Sequence, residues 1–414
     1  MTKLGTCLAA LAAFSLACAA SKPPTCSAPA AAAGAVSALE TGNAQFASDL
    51  LAQVGAAADG GNFAYSPFSI SAALGMTYAG AATSTATQMA TTLHFTPAQT
   101  DVPAAFAQLD CQIQTDGQAD NNQMSIANGL FGQQGKAFEQ PFLTALDQDY
   151  GAPLQQVDFA TNATAATNTI DAWVSTQTEG KIPQLFQPGD LDSSTVLVLA
   201  DAIYFKGSWA TQFETSQTQT GSFSTSDTDQ VQVPLMNVTA SFKYLKGSNF
   251  AMLEMPYAGN QLAMDIVLPD TVDDLPAVAA GFTGATFDGW VSQLSAQAQV
   301  AVTLPRFSLD SRFNLTQTLS GMGMPNAFIW QTADFSGIDG SNDLFIGIVV
   351  HEATVEVDET GTVAAAATGV GVTGASAVEE PTIFDANHPF LFVLRDIPTG
   401  TLLFVGQVTD PSGS

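Results

Sequence analysis

The stretch VHEATVEVDETGTVAAAATG (350–369) changes character at its middle. Up to Glu359 apolar and polar residues alternate, and with LFIGIV (344–349) ahead of it the run from 344 to 359 reads as one long strand. Past DETGT (358–362) the chain becomes a run of small residues without charge. In an extended chain alternate side chains share a face, so Thr362, Ala364, Ala366, Thr368, Val370, Val372 and Gly374 would turn one way together. Val363, Ala365, Ala367, Gly369, Gly371 and Thr373 would line the other face, and none of them is bulky either. Such a segment is fit to become a strand itself and to slide between two others. A flexible Ala/Gly-rich surface loop is the plainer alternative. It explains the composition but not the placement directly after a strand and its turn.

Outward from this segment, PFLFVLRD (389–396) and LLFVGQV (402–408) read as a terminal antiparallel pair. Upstream, STVLVLADAIYF (194–205) is a near-continuous apolar run suited to a strand buried on both faces. NFAMLEMPY (249–257), QLAMDIVLP (261–269) and AQVAVTLPRFSL (298–309) read as three further strands. The first half is helical: LETGNAQFASDLLAQVG (39–55), SISAALGMTYAGA (69–81) and NTIDAWVSTQ (168–177) space their apolar residues by three and four. Helices early, strands late and few crossover signals predict an α+β fold in one domain, residues 39–414.

The chain of 414 residues is 46% hydrophobic, enough for a large core, and carries a net charge of −28. No more than two of its ten lysines and arginines lie close together, which excludes a nucleic-acid or polyanion footprint. Enzyme signatures are missing. There is no GxSxG elbow and no phosphate loop. HEATV (351–355) begins like a zinc-protease helix but lacks the second histidine and sits in a strand pattern. His388, before Pro389, reads as a turn or strand-start residue. Neither a metal nor a cofactor is expected.

The N-terminus reads as a targeting segment. Lys3 precedes the apolar LGTCLAALAAFSLA (4–17), of signal-peptide length, so 1–17 is expected to be removed. FSLAC (14–18) resembles a bacterial lipobox, in which Cys18 would be acylated. Lipid anchoring at Cys18 and ordinary secretion both stay open, and each gives an extracellular or cell-envelope protein. Residues 18–38 read as a Pro/Ala-rich tether. With Cys18 acylated, Cys26 and Cys111 could pair in an oxidising compartment.

Several segments, in order, resemble the serpin family. They are NFAYSPFSISAALGMTYAGA (62–81), TQTEGKIPQL (176–185), LADAIYFKGSWATQF (199–213), LEMPYAGNQLAMDIVLP (253–269), VHEATVEVDETGTVAAAATG (350–369), ANHPFLFVL (386–394) and GTLLFVGQV (400–408). The resemblance spans about Leu39 to Asp410, and the lipobox-like N-terminus ahead of it makes a bacterial secreted or lipoprotein member the expectation. It implies helices packed around three β-sheets, with an exposed reactive-centre loop at about 360–380. It also implies a monomeric suicide-substrate inhibitor of serine proteases. The cut loop inserts into the central sheet and the acyl-enzyme is trapped. Papain-like cysteine proteases are a second target class, and membrane contact is expected only through the lipid. A non-inhibitory binding protein or carrier on the same scaffold is the competing reading, and an unrelated hydrolase is a third.

Site residues carry over one at a time. Glu359, Gly361, Thr362 and Ala364, Ala365, Ala366 and Ala367 match the hinge, where Val363 departs from the family's usual polar residue. Ser66, Ser69 and His351 match the shutter beneath the sheet opening. Asp201 replaces the usual Asn there, which predicts a more pH-sensitive opening. Trp209, Arg306 and Glu359 match the breach, where an Arg306–Glu359 pair would hold the loop base closed. The family's spacing from Gly361 puts the scissile bond between Ala375 and Ser376, with Val372 or Thr373 as fallback. Ala375 implies elastase-like targets, because a methyl group suits a shallow pocket.

Overall fold

The computed structural model describes residues 27–361 and 380–413. The loop positions 362–379, Cys18 and Cys26 therefore lie outside the described residues. Helix α1 (Ala35–Ala57) buries Leu39, Phe46, Leu50, Leu51 and Val54. It begins inside the stretch read as a tether: Ala35 is buried, and the Pro29 carbonyl accepts a hydrogen bond from Gln108 at 2.9 Å. Packing, not composition, sets that boundary. Helix α2 (Pro67–Tyr78) is buried along its whole length and is capped by the Ser66 hydroxyl, with Pro67 supplying a preset first turn. Helices α3 (Thr83–Thr92), α4 (Val102–Gly117), α5 (Gln140–Gln148) and α6 (Phe159–Gln177) follow.

The strands are β1 (Phe63–Tyr65), β2 (Gln123–Gln133), β3 (Gln155–Val157), β4 (Leu197–Lys206), β5 (Gln219–Ser224), β6 (Gln230–Lys246) and β7 (Phe250–Pro256). They continue with β8 (Leu262–Pro269), β9 (Ser295–Pro305), β10 (Phe307–Asn314), β11 (Ile348–Val357), β12 (Thr382–Asp385), β13 (Phe390–Asp396) and β14 (Leu402–Val408). Three sheets are implied by the family resemblance, and hydrogen bonds join them into two assemblies because β6 serves two of them. Its first part pairs with β5 and its last part with β7, while β9 runs alongside both. The stretch AQVAVTLPRFSL, expected as one strand, is divided. β9 and β10 belong to different assemblies, and the Arg306 N–H between them turns aside to the Pro234 carbonyl at 3.0 Å.

The five-stranded sheet runs β10-β11-β4-β2-β3. Its central pair, β11 and β4, is parallel, from Ile348 opposite Val198 to Val355 opposite Phe205. The outer neighbours β10 and β2 are antiparallel to that pair. Both faces of the seam are buried, which explains the near-continuous apolar runs. Leu197, Leu199, Ile203, Val349 and Ala353 join the main core, whereas Val198, Ala200, Ala202, Ile348 and Val350 pack under α6. β2 has no clear alternation in sequence because it is shaped to fit α6. A Cβ on Gly129 would meet the Trp173 ring at 2.7 Å.

Candidate functional site

The seam between β4 and β11 is latched at its middle and clamped at its top. At the middle, His351 and Asp201 are direct partners across the two parallel strands and both are fully buried. His351 Nδ1 lies 3.0 Å from Asp201 Oδ2. The Ser66 backbone N–H donates to His351 Nε2 at 3.0 Å, so Nε2 is an acceptor and the proton sits on Nδ1, facing the carboxylate. Ser69 Oγ bonds the other Asp201 oxygen and lies 3.0 Å from Asn128 Oδ1 on β2. Asn128, Asp201 and His351 thus form a row across β2, β4 and β11, with the N-terminus of α2 beneath it. Adding a proton at Nε2 would set two donors face to face. The imidazole thus ties the N-terminus of α2 to the β4–β11 seam.

At the top, β11 ends in a tight reversal with Asp358 and Gly361 bridged to each other. Gly361 has φ of 106°, and a Cβ there would lie 2.4 Å from both the Gly207 carbonyl and the Trp209 nitrogen, so only glycine fits. The Trp209 N–H bonds the Thr360 carbonyl at 2.9 Å, and its indole N–H bonds the Asp358 carbonyl at 3.0 Å. The indole stacks on Tyr257 with centroids 4.4 Å apart. Arg306 grips the Glu359 carboxylate through Nε at 2.8 Å and also through Nη2, and Thr218 adds a hydroxyl. Burial pushes the Glu359 carboxyl up, but Arg306 and Thr218 outweigh it and hold the group below its ordinary range. The loop base is thus clamped at the end of β11 beside the end of β4.

Every described site residue expected from the sequence falls into one of these two clusters. Asn128 and Thr218 were missed. The three histidines serve structure: His94 pairs with Asp49 at 2.7 Å, and His388 Nε2 lies 2.9 Å from the Pro269 carbonyl. Among the described residues no group of His, Cys, Asp and Glu could hold a metal, and no helix is long and apolar enough to cross a membrane.

On its other face, under α6, β11 carries Glu352, whose carboxyl is pushed up to about 7 by burial and then by Asp310, with Asp171 adding to the effect and Arg312 opposing it. A folded-state value raised above that of the unfolded chain means the native protein holds this proton longer. Stability is then lost as pH rises from about 4.5 through about 7. Glu352→Gln is expected to raise the melting temperature at pH 8, by at most about 3 kcal/mol of stability, and to leave it unchanged at pH 5. Thermal melts at the two pH values check this; an equal gain at both would refute it.

The model of the family described as Serpin (serine protease inhibitor) matches residues 41–411. The chain belongs to the serpin family. Members of this family are protease inhibitors rather than enzymes. Among similar proteins, leukocyte elastase inhibitor A of Mus musculus is 37% identical over 380 residues, covering 90% of this chain and 99% of the relative. The leukocyte elastase inhibitor of Sus scrofa is 38% identical over 381 residues, with 90% and 99% covered. Of solved structures, human thyroxine-binding globulin complexed with thyroxine aligns with a TM-score of 0.82 at 30% identity, over 91% of this serpin and 99% of that chain. Uncleaved ovalbumin aligns with a TM-score of 0.81 at 27% identity, over 90% and 100%.

Proposed function

We propose that this serpin is a suicide-substrate inhibitor of elastase-like serine proteases. The observation that carries the reading is the parallel β4–β11 seam with the loop base fixed at its top. To enter the seam, the chain beyond Gly361 would have to turn back on β11, so an inserted segment would run antiparallel to β11 and equally to β4. One parallel pairing would be exchanged for two antiparallel ones, which are more stable per residue. The protease serine attacks the Ala375 carbonyl carbon. The bond to the Ser376 nitrogen breaks, Ser376 departs as a free amine with a proton from the protease histidine, and an ester to the serine remains. Insertion outpaces the water that would hydrolyse that ester.

Elastase-like choice follows from Ala375 and from the absence of Arg or Lys between Glu359 and Pro389. The relatives named as leukocyte elastase inhibitors support it. Export by the leader 1–17, with or without an acyl group on Cys18, completes the proposal. The disulfide at Cys111 suits an oxidising compartment. The reported relatives are vertebrate and lend no weight to a bacterial lipoprotein.

The carrier reading has one observation in its favour. A cavity of about 460 Å³ lies between α1, the helix Leu275–Gly281, β1 and β14, lined by apolar residues such as Leu51, Phe63, Leu275 and Pro276. Incubation with elastase separates the two. The inhibitor gives a band of summed mass that survives denaturation, with a released N-terminus at Ser376. The carrier gives loop fragments and no such band. Ala375→Arg is expected to move the preference to trypsin-like enzymes, whose acidic pocket then gains its counter-charge. A variant still selective for elastase would refute the assigned bond.

A further inference from the structure

The last turn of α4 and the turn between β13 and β14 meet at two buried carboxyl groups. Asp116 is 6% exposed, and Asp396, the last residue of β13, is fully buried. One oxygen of each is provided for. Gln112 Nε2 donates to Asp116 Oδ2 at 2.7 Å. Asp396 Oδ2 accepts the Thr399 N–H at 3.0 Å and the Thr399 hydroxyl at 2.6 Å. Asp396 Oδ1 is buried and has no donor among the described residues. The group within hydrogen-bonding reach of Asp396 is instead the Asp116 carboxyl. Arg395, next in the chain, offers no counter-charge, because strand alternation turns its guanidinium away to Glu254 and Asp265. None of the ion pairs among the described residues involves Asp116 or Asp396.

Two carboxylates in contact inside a protein cannot both stay ionised without a cation beside them. A single proton held between them removes one charge and makes an O–H···O bond to an ionised partner, among the stronger hydrogen bonds. It also gives Asp396 Oδ1 the partner it lacks. Burial pushes the Asp396 carboxyl up to about 6; the Thr399 bonds oppose this, and the charge and contact of Asp116 add to it. Titration needs a path to water. Gln112 and Thr399, which bond the pair, also line a cleft of about 700 Å³ between α4 and the β13–β14 turn. The turn is built on Asp396 itself. The Asp396 N–H bonds the Thr401 carbonyl at 3.0 Å, and the Gly400 N–H bonds the Asp396 carbonyl at 2.9 Å. A displacement of Asp396 is therefore passed to the whole turn.

We propose that Asp116 and Asp396 share one proton and form a pH-sensitive clasp between the last turn of α4 and the β13–β14 turn. With the proton in place the two elements are bridged. Without it, two like charges face each other in a buried place and drive the turn off α4. The folded pair holds its proton longer than the unfolded chain does, so the contribution of the clasp is complete at low pH and is lost as pH rises through about 6. The clasp uses no residue of the β4–β11 seam, and it does not rest on the inhibitory reading.

The test is amide hydrogen exchange of the full chain at pH 5 and pH 8, corrected for the intrinsic exchange rate and read by mass spectrometry. In the parent, protection of the amides at 399–401 is expected to fall about tenfold between the two pH values. Asp396→Asn keeps an acceptor for Thr399 and turns a donor that does not titrate toward Asp116, so its protection should change by less than about twofold. Asp116→Asn should do the same from the other side, and it serves if the first variant fails to fold. Glu352 and Asp265, whose carboxyls are also raised, are present in all three proteins, so their effects cancel in the comparison. The infrared carbonyl band of protonated carboxyl groups, compared between pH 5 and pH 8, should lose one component in either variant. Unchanged protection in the parent, or a parent-like pH response in the variants, would overturn the inference. So would calcium chloride restoring the parent's protection at pH 8, because the pair would then be a seat for a cation rather than for a proton.

Discussion

Thr362→Arg is expected to turn the inhibitor into a substrate. Were the loop to insert, an antiparallel register continued from the Asp358–Gly361 bridge would set position 362 opposite Val357, on the face of β11 that carries Val355 and Ala353 into the main core. Val357 is only 2% exposed. A guanidinium brought there meets no uncommitted carboxylate beside Val357: Glu359 is already held by Arg306, and Asp201, further down the same face, is held by His351 and Ser69. Burying an unpaired charge costs several kcal/mol, and it would be imposed at the first step of insertion. Deacylation then wins. The protease should still cut the loop at an undiminished rate, while the yield of denaturant-resistant complex falls at least tenfold. Thr362→Val, of similar size and without charge, should keep the yield. The ratio of complex to cleaved inhibitor on a denaturing gel reads this directly, and equal yields from parent and Arg variant would mean that the loop does not enter the sheet.

Much of this site was legible because its residues lie on contiguous motifs. Ser66 and Ser69 open a helix, Asp201 sits in a continuous apolar strand, His351 lies on the long alternating one and Glu359 in the turn just past its end. Trp209 and Arg306 are harder, since each is positioned by a break rather than by a pattern. Arg306 reaches Glu359 because the chain changes sheets beside it, which no periodicity announces. Asn128 and Thr218 were not legible at all. β2 is interrupted by glycines that make room for Trp173 of α6 and for Phe138, and Thr218 lies beside a strand of polar residues. Their roles arise from contacts across long separations: Asn128 with Ser69, and Thr218 with Glu359. The same limit applies at the N-terminus, where Ala/Pro composition reads as a tether but packing against α4 begins before α1.

Asp201 bears on the energetics of opening. Parting β4 from β11 separates His351 from Asp201, which are cross-strand partners. On insertion Thr368 would arrive opposite His351, with a hydroxyl able to take up a bond that the separation breaks. In the inserted state a hydroxyl–imidazole contact would thus stand in for the carboxyl–imidazole one. Its loss is offset by the additional ladder.

The central claim is that the five-stranded sheet is the less stable of two arrangements and that cutting the loop lets it reach the other. A non-target protease that nicks the chain near Ala375 should produce that state without forming a complex. Some ten further hydrogen bonds at roughly 1 kcal/mol each, against an unfolding entropy of ~2.1 cal/mol/K per residue, put the gain in melting temperature at about 10 °C or more. Differential scanning calorimetry of the intact and the nicked protein, at one pH and salt concentration, decides the matter. The account predicts a nicked protein that melts well above the intact one. A nicked protein that melts at the same temperature, or lower, would show that β4 and β11 stay paired and would contradict it.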